Sequence, residues 1–461
     1  MKKIIIFLFL SAQLLCATDK PNIILIVVDD LGYADMSHTN TVNDVSTPNI
    51  DALAESGFSF SNAYATAPIC NASRIAIMTG AYQQRQGQYW YGGQGLHNPR
   101  FTTIAETLKE KGYATGLVGK FHHGKTDHID GRGVPLNHGF DFFYGFSGGT
   151  KHYLHHKDSY QDRNLHEGPM YVQREKKNVE GFTTELFGEQ ARSFINKNKD
   201  KPFYLHLSFN AVHNFTHQLP ESYIKDKGLK GFADNESKKT YWQWRQKIGY
   251  PAHPEGRDYY LGQLYFLDRE IGLVLKELDK LKLTDNTAIF FISDNGGSLV
   301  TYANNGKLNG GKYTLFEGGN RVPFIIKYPK INNTKKVLDS LTSTMDIYPT
   351  ICSLVNAKTP PHLDGINLLP ILSNEVKFKN RSLFWDTKLQ QAMRKGKWKY
   401  LKTNKTPNKR LQITETPRGE FLYDLELDPG EKNNLISKYP EVALELKKHL
   451  ENWRNEIKTD K

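Results

Sequence analysis

The chain has 461 residues, of which 38% are hydrophobic and 24% charged, and this ordinary globular composition excludes a disordered chain, a collagen-like repeat and a small disulfide scaffold. The length allows two or three domains, or one large α/β domain with an appendage. With 61 Lys and Arg against 49 Asp and Glu, the net charge of +12 favours anionic partners, but charge alone does not distinguish nucleic acid, anionic lipid and sulfated glycan.

Residues 1–17 have the pattern of a secretory signal peptide. Two lysines precede the apolar run 4–10, and small and polar residues follow up to Ala17. The run is shorter than the roughly 20 apolar residues of a membrane span, so we expect cleavage near Ala17 and no stable membrane span. Leu15 stands before Cys16 where lipidation would favour a small residue. We therefore expect an exported protein, located in the periplasm in preference to full secretion.

Apolar runs of strand length then alternate with helical patterns. The runs rich in β-branched and aromatic residues predict strands at 23–28, 114–118, 203–209, 288–292 and 323–328. Helices are predicted at 70–79, after the capping box of Thr103 and Glu106, at 183–196 and at 258–281. This alternation predicts an α/β fold with a large mixed, mostly parallel sheet sandwiched by helices.

Beyond residue 375 the pattern changes to shorter, polar, Lys-rich strands, such as 384–385 and 398–401. An amphipathic helix follows from Glu441 to about Ile457. We therefore predict a large domain over 18–375 and a smaller C-terminal α+β subdomain over 376–461.

Pairs of polar residues follow two of the predicted strands. Asp29 and Asp30 end the first strand, and Asp294 and Asn295 follow the strand at 288–292. Open α/β sheets bind ligands at the carboxyl ends of their strands, and these hard oxygen ligands suit calcium or magnesium better than zinc. Asp and Asn are also common turn residues, so either pair alone is weak evidence. The presence of both pairs at strand ends favours a metal site.

Two other predicted strands are followed by lysine or histidine residues that can carry charge or transfer protons. The strand at 114–118 leads to Lys120 and His122, and His213 lies just past the strand at 203–209.

Two cysteines, Cys70 and Cys352, remain after the predicted cleavage. An oxidising compartment favours paired thiols, so the residues allow one disulfide or two buried thiols. Cys352 lies in an apolar stretch typical of a core, whereas Cys70 opens the predicted helix that Gly80 ends. A helix N-terminus attracts anions, and Arg74 adds a positive charge one turn later. The spacing alone leaves an anion site and a buried thiol beside a surface arginine equally open.

Five motifs stand in a fixed order along the chain: IVVDDLGY at 26–33, CNASR at 70–74, GKFH at 119–122, SDNGG at 293–297 and GGKYTLFEGG at 310–319. Together they resemble the type I, formylglycine-dependent sulfatases, whose cysteine is oxidised to an aldehyde. GFDFFYGF at 139–146 and LYDLELDP at 422–429 are also similar to family motifs. The resemblance covers nearly the whole mature chain. It implies an alkaline phosphatase-like fold, with 18–375 as the catalytic domain and an antiparallel sheet in the C-terminal subdomain.

The resemblance also implies the cofactors. One Ca²⁺ would be held by Asp29, Asp30, Asp294, Asn295 and the modified Cys70, and would polarise the sulfate oxygens. The hydrated aldehyde made from Cys70 has two hydroxyls on one carbon; one attacks sulfur and the other allows sulfate to be expelled. A formylglycine-generating or radical-type maturation enzyme would be a partner.

The same resemblance assigns roles to five other residues. Lys120 and Lys312 would neutralise the sulfate oxygens, and Arg74 would orient the aldehyde hydrate. His213 would protonate the departing alcohol, and His122 would assist the release of sulfate. The expected reaction is therefore hydrolysis of the sulfate esters of a carbohydrate, with no nucleic-acid partner.

The sequence departs from the family pattern at two places. Ala72 stands where many members have proline, which bears on recognition by the maturation enzyme. Phe121 and His123 replace the tryptophan and leucine that commonly flank the family histidine. Two other functions stay open: a phosphatase or phosphodiesterase of the same superfamily, which would use two zinc ions, and a non-catalytic polyanion-binding protein.

Overall fold

The computed structural model describes residues 20–92, 95–96, 98–123, 134–149, 152–155, 170–230, 253–331, 336–374, 381–404 and 416–459. The signal peptide predicted for 1–17 and the domain boundary predicted at 375/376 lie outside the described residues, so both stay predictions. Within these ranges, no helix combines the length and the apolar character that a membrane crossing requires.

Eighteen strands are present in the described ranges. They are β1 (Asn22–Val28), β2 (Phe58–Phe60), β3 (Ala63–Tyr64), β4 (Ala114–Lys120), β5 (Phe142–Phe146), β6 (Leu154–His155), β7 (Met170–Val172), β8 (Glu175–Lys177), β9 (Gly181–Phe182), β10 (Phe203–Ser208), β11 (Thr287–Ser293), β12 (Phe324–Lys327), β13 (Val337–Leu338), β14 (Thr342–Ser343), β15 (Ser382–Asp386), β16 (Gln390–Lys395), β17 (Trp398–Thr403) and β18 (Gly419–Asp424). All five strands predicted for the large sheet are found.

Ten of these strands form the central sheet, in the order β13-β2-β12-β11-β1-β10-β4-β5-β7-β8. The five strands from β11 to β5 are mutually parallel, whereas β12 runs antiparallel to β11 and β7 runs antiparallel to β5. The predicted mixed, mostly parallel sheet is therefore confirmed.

Helices cover both faces of this sheet. Among the described residues the helices are Pro48–Ser56, Cys70–Thr79, Ile104–Glu110, Thr183–Lys197, Glu221–Lys227, Gly256–Lys280, Glu317–Asn320, Ile347–Leu354, Leu369–Leu372 and Pro440–Thr459. Side chains of β1 alternate between two separate apolar cores: Ile24 and Ile26 pack with helix Gly256–Lys280, and Ile23 and Leu25 pack with helix Cys70–Thr79. Because both faces are buried, β1 is a continuous apolar run, as in other sheets of this kind.

The capping box predicted at Thr103 is confirmed. The Thr103 side chain accepts the backbone N–H of Glu106 at 3.1 Å, and the Glu106 carboxylate accepts the backbone N–H of Thr103 at 2.7 Å. This reciprocal pair satisfies two donors that the first helical turn leaves open.

The C-terminal region forms its own sheet and core. Strands β15 to β18 are antiparallel neighbours in sequence order, and helix Pro440–Thr459 packs against them. The apolar core also includes Leu315 and Phe316 from the large domain. The indole N–H of Trp385 donates to the carbonyl of Ala65 at 2.7 Å, which ties the two parts together.

Candidate active site

Strand register brings the predicted metal ligands together. Strands β1 and β11 are parallel neighbours, and Val28 lies opposite Ser293, so Asp29 and Asp294 leave the sheet side by side. The backbone N–H of Asp30 donates to Asp294 Oδ1 at 3.2 Å. Asp29, Asp30 and Asp294 are all buried. Three carboxylates therefore share one water-poor edge of the sheet, an arrangement that requires positive charge nearby.

Cys70 is the first residue of its helix and lies close to this edge of the sheet. Its thiol lies 3.4 Å from Asp29 Oδ1 and 3.1 Å from Lys312 Nζ. The helix ends as predicted at Gly80, whose φ of +63° is a left-handed conformation that glycine adopts without strain. Burial raises the pKa of the Cys70 thiol far above its usual value, so an unmodified thiol stays protonated at neutral pH and is a poor nucleophile.

The two mature-chain cysteines are separate. Both Cys70 and Cys352 are buried and unpaired in the described part of the chain, which decides between the two alternatives in favour of thiols. Cys352 belongs to the apolar core on one face of the sheet, as its surroundings in the sequence predicted.

Three cations face the three carboxylates. Lys120 Nζ lies 2.5 Å from Asp29 Oδ2, and Lys312 Nζ lies 2.7 Å from Asp30 Oδ2. Arg74 Nε lies 2.7 Å from Asp294 Oδ2.

The guanidinium of Arg74 is fixed by several elements at once. Besides Asp294, it donates to Ser208 Oγ at 2.6 Å and to the carbonyl of Lys120 at 3.3 Å. Burial acts to lower the pKa of Arg74, but Asp294 and Asp29 outweigh burial and raise it. Arg74 is therefore a permanent positive charge in a rigid position.

The donor set fits a hard divalent cation. Asp29, Asp30, Cys70 and His213 each offer a ligand atom within 4.8 Å of the others. The buried Oδ1 of Asn295 has no hydrogen-bond partner among the described residues, while its Nδ2 donates to Asp30 Oδ1 at 2.7 Å. An orphaned carbonyl oxygen beside buried carboxylates is the kind of ligand that Ca²⁺ or Mg²⁺ prefers.

Asp294 and His213 take positions that the sequence did not specify. Asp294 lies outside the tightest donor group because it pairs with Arg74. His213, predicted as an acid and not as a ligand, lies with Nε2 3.6 Å from Asp30 Oδ2. It therefore stands at the edge of the carboxylate cluster.

His122 and His123 are neighbours with different environments. The carbonyl of His122 accepts a hydrogen bond from Asn71 Nδ2 at 2.9 Å, which joins it to the helix of Cys70. Burial, with the charges of Lys120 and Arg74, lowers the pKa of His122 well below its usual range, so its ring is neutral at pH 7. The His123 ring packs edge-on against Phe121 at 4.6 Å.

The structure brings the predicted site residues together, although His122 joins the site only through Asn71 and through the charges around it. Sequence reasoning missed Ser208, which holds Arg74, and the aromatic residues Trp90 and Tyr91 near Lys312. None of these three stands in a motif, so only the fold places them.

Comparisons with known proteins identify the family of this chain. The family model described as Sulfatase matches residues 21–357. The chain belongs to the sulfatase family. A second model, described as N-sulphoglucosamine sulphohydrolase, C-terminal, matches residues 311–456. This sulfatase is accordingly a sulfuric ester hydrolase.

Relatives of this sulfatase cover nearly its whole length. N-acetylgalactosamine-6-O-sulfatase of Bacteroides thetaiotaomicron is 28% identical over 94% of this chain and 93% of its own. Arylsulfatase A of Bos taurus is 30% identical over 94% of this chain and 86% of its own. The crystal structure of Ps i-CgsB in complex with k-i-k-neocarrahexaose superposes with a TM-score of 0.78 at 32% identity, covering 94% of this chain and 92% of that chain.

Proposed function

We propose that this sulfatase removes sulfate esters from a sulfated carbohydrate, using a formylglycine made from Cys70 and one Ca²⁺. The observation that carries the proposal is the position of Cys70 Sγ, which lies between Asp29 Oδ1 at 3.4 Å and Lys312 Nζ at 3.1 Å in a buried pocket of charges. Burial raises the pKa of an unmodified Cys70 thiol and so makes it a poor nucleophile, which supports a modified residue at this position.

The metal and the modified residue would supply the reactive groups. Asp29, Asp30, Asp294, Asn295 and residue 70 would hold the Ca²⁺, supported by the unpaired Asn295 Oδ1. A bound Ca²⁺ polarises sulfate oxygens, and a hydrated aldehyde offers two hydroxyls on one carbon.

The chain's own cations would bind the sulfate. Lys120 and Lys312 pair with Asp29 and Asp30, and a sulfate group would take over these hydrogen bonds. Arg74 would fix the orientation of residue 70 from the same helix, because its guanidinium is anchored on Asp294 and Ser208.

The two histidines would move protons. His213, whose Nε2 lies 3.6 Å from Asp30 Oδ2, would donate a proton to the departing alcohol oxygen. Burial and nearby cations lower the pKa of His122, so its ring is neutral and would accept a proton from residue 70.

The substrate class rests on relatives and on charge. One relative is named for N-acetylgalactosamine 6-O-sulfate, and one superposed structure holds a carrageenan oligosaccharide. The net charge of +12 suits a polyanionic glycan. We infer a polysaccharide-derived oligosaccharide, such as a marine algal glycan or a glycosaminoglycan, as substrate.

Export and maturation complete the proposal. The signal peptide at 1–17 would direct the chain to the periplasm, where sulfated oligosaccharides arrive from outside. A maturation enzyme must accept Ala72 two residues after Cys70, in place of the more common proline.

The test is peptide mass spectrometry across residue 70 combined with sulfate release from sulfated oligosaccharides. Wild-type protein made with a converting enzyme should carry the aldehyde and release sulfate. Cys70→Ala should abolish release, and Cys352→Ala, which alters the other buried thiol, should keep it. An unmodified, active wild type would overturn the formylglycine proposal. Glycan binding without turnover by protein that carries the aldehyde would overturn the catalytic assignment, and bound zinc with phosphatase activity would favour the alternative superfamily function.

A further inference from the structure

Three aromatic side chains lie together beside Lys312. The Trp90 and Tyr91 ring centroids are 5.9 Å apart, and they lie 6.3 Å and 6.1 Å respectively from the ring centroid of Tyr313. We refer to Trp90, Tyr91 and Tyr313 as the aromatic wall.

The aromatic wall lies next to Lys312 and close to Cys70. Tyr313 follows Lys312, whose Nζ lies 5.5 Å from the Tyr313 ring centroid and 3.1 Å from Cys70 Sγ. The backbone N–H of Tyr313 donates to the carbonyl of Pro68 at 2.8 Å, two residues before Cys70. The aromatic wall therefore lies within one side chain's length of Lys312 and Cys70.

Tyr313 of the aromatic wall is buried, whereas Tyr91 is exposed. Tyr313 is 5% exposed and packs in a small apolar cluster beneath Trp90, made with Ala67, Ile69 and Ala72. Tyr91, by contrast, is 47% exposed. A single exposed aromatic residue needs no explanation, but this one rests on two others beside a group of buried charges.

This arrangement suits one kind of ligand surface. The cations beside Cys70 bind an anion, and an aromatic face next to them binds an apolar surface attached to that anion. A sugar ring has such a surface, because its axial C–H groups form an apolar face while its hydroxyls lie at the rim. A tyrosine offers a broad contact face with little rotamer entropy to lose.

We propose that Tyr91 stacks against the sugar ring that carries the scissile sulfate, with Trp90 and Tyr313 holding its ring in place. This inference rests on the proposed function and adds to it a specificity-determining residue outside the family motifs. In the proposed function Lys120 and Lys312, which pair with Asp29 and Asp30, would bind the sulfate, so Tyr91 contributes to recognition of the sugar and not of the anion.

The test is steady-state kinetics on a sulfated oligosaccharide with mature enzyme. Tyr91→Ala should raise KM about 10-fold, the loss of one stacked aromatic contact, and leave kcat within about twofold. Tyr91→Phe keeps the ring face and should restore the wild-type KM. Tyr265→Ala is the matched control, because Tyr265 is 49% exposed on helix Gly256–Lys280 and packs on Tyr223 and Phe266.

Inhibition by inorganic sulfate separates sugar binding from a damaged anion site. The sulfate inhibition constant of Tyr91→Ala should equal that of wild type, because sulfate lacks a ring to stack. An unchanged KM for Tyr91→Ala in an active enzyme overturns this inference alone, as does an equal rise in KM and in the sulfate inhibition constant. A wild type that hydrolyses no sulfated carbohydrate instead overturns the proposed function.

Discussion

A buried trio of charges joins the large domain to the C-terminal subdomain and makes stability depend on pH. Lys399 Nζ lies 3.0 Å from Glu317 Oε1 and 2.8 Å from Glu431 Oε1, and all three side chains are buried. Glu431 also accepts the backbone N–H of Glu317 at 2.6 Å. Glu317 begins the short helix Glu317–Asn320 and stands in the same motif as Lys312. We predict that Glu431→Gln changes how the free energy of unfolding depends on pH.

The sign and size follow from the two carboxyl groups. Burial raises the pKa of Glu431 from 4.5 to about 7, against the opposing charge of Lys399. Between these two pH values the folded protein binds a proton that the unfolded chain does not, so stability falls as pH rises. At about 1.36 kcal/mol per pKa unit, the loss is on the order of 3 kcal/mol. Burial acts to raise the pKa of Glu317 too, but Lys399 and Arg394 outweigh it and lower that pKa to about 2, so Glu317 stays charged throughout this window.

The assay is urea unfolding of wild type and Glu431→Gln at several values between about pH 4.5 and pH 8. The substituted amide cannot titrate, so the stability of the variant relative to wild type should rise by on the order of 3 kcal/mol across this range. Any constant cost of the substitution cancels in that comparison. Glu426→Gln, at an exposed site on the same loop, should keep the wild-type slope. A difference between wild type and Glu431→Gln that is the same at all pH values would refute the reasoning.

Three further predictions concern the site and one helix. In Arg74→Lys, the hydrogen bonds that one guanidinium donates to both Asp294 and Ser208 are lost, so kcat/KM should fall about 100-fold. A change in kcat/KM below twofold would contradict the anchoring role of Arg74. Removal of Ca²⁺ with a chelator should lower the melting temperature, and added Ca²⁺ at about 100 times its Kd should restore about 2.7 kcal/mol of stability, whereas an unchanged melting curve would argue against the site. Thr103→Ala removes the capping box and should lower the free energy of unfolding by about 1 kcal/mol in the same urea assay, and an unchanged midpoint would show that the cap contributes nothing.

Local signals were sufficient for the elements that carry the site. Continuous apolar runs predicted β1 and β11, because strands buried on both faces must be apolar at every position. The Cys70 helix had a stop at Gly80 and the next helix a capping box at Thr103, and both are local backbone signals. The motif residues Asp29 and Asp294 could then be placed at one edge of the sheet before their contacts were known.

What the sequence by itself determined is therefore the set of candidate site residues and the strands and helices that present them, since both depend on residues near one another in the chain. Only the tertiary structure decided which distant residues these side chains contact. Arg74 pairs with Asp294 across 220 positions, and Lys399 shares its charge between Glu317 and Glu431. Tyr91 reaches Tyr313 from a distant loop. Such contacts are set by strand order and packing, which no local spacing encodes.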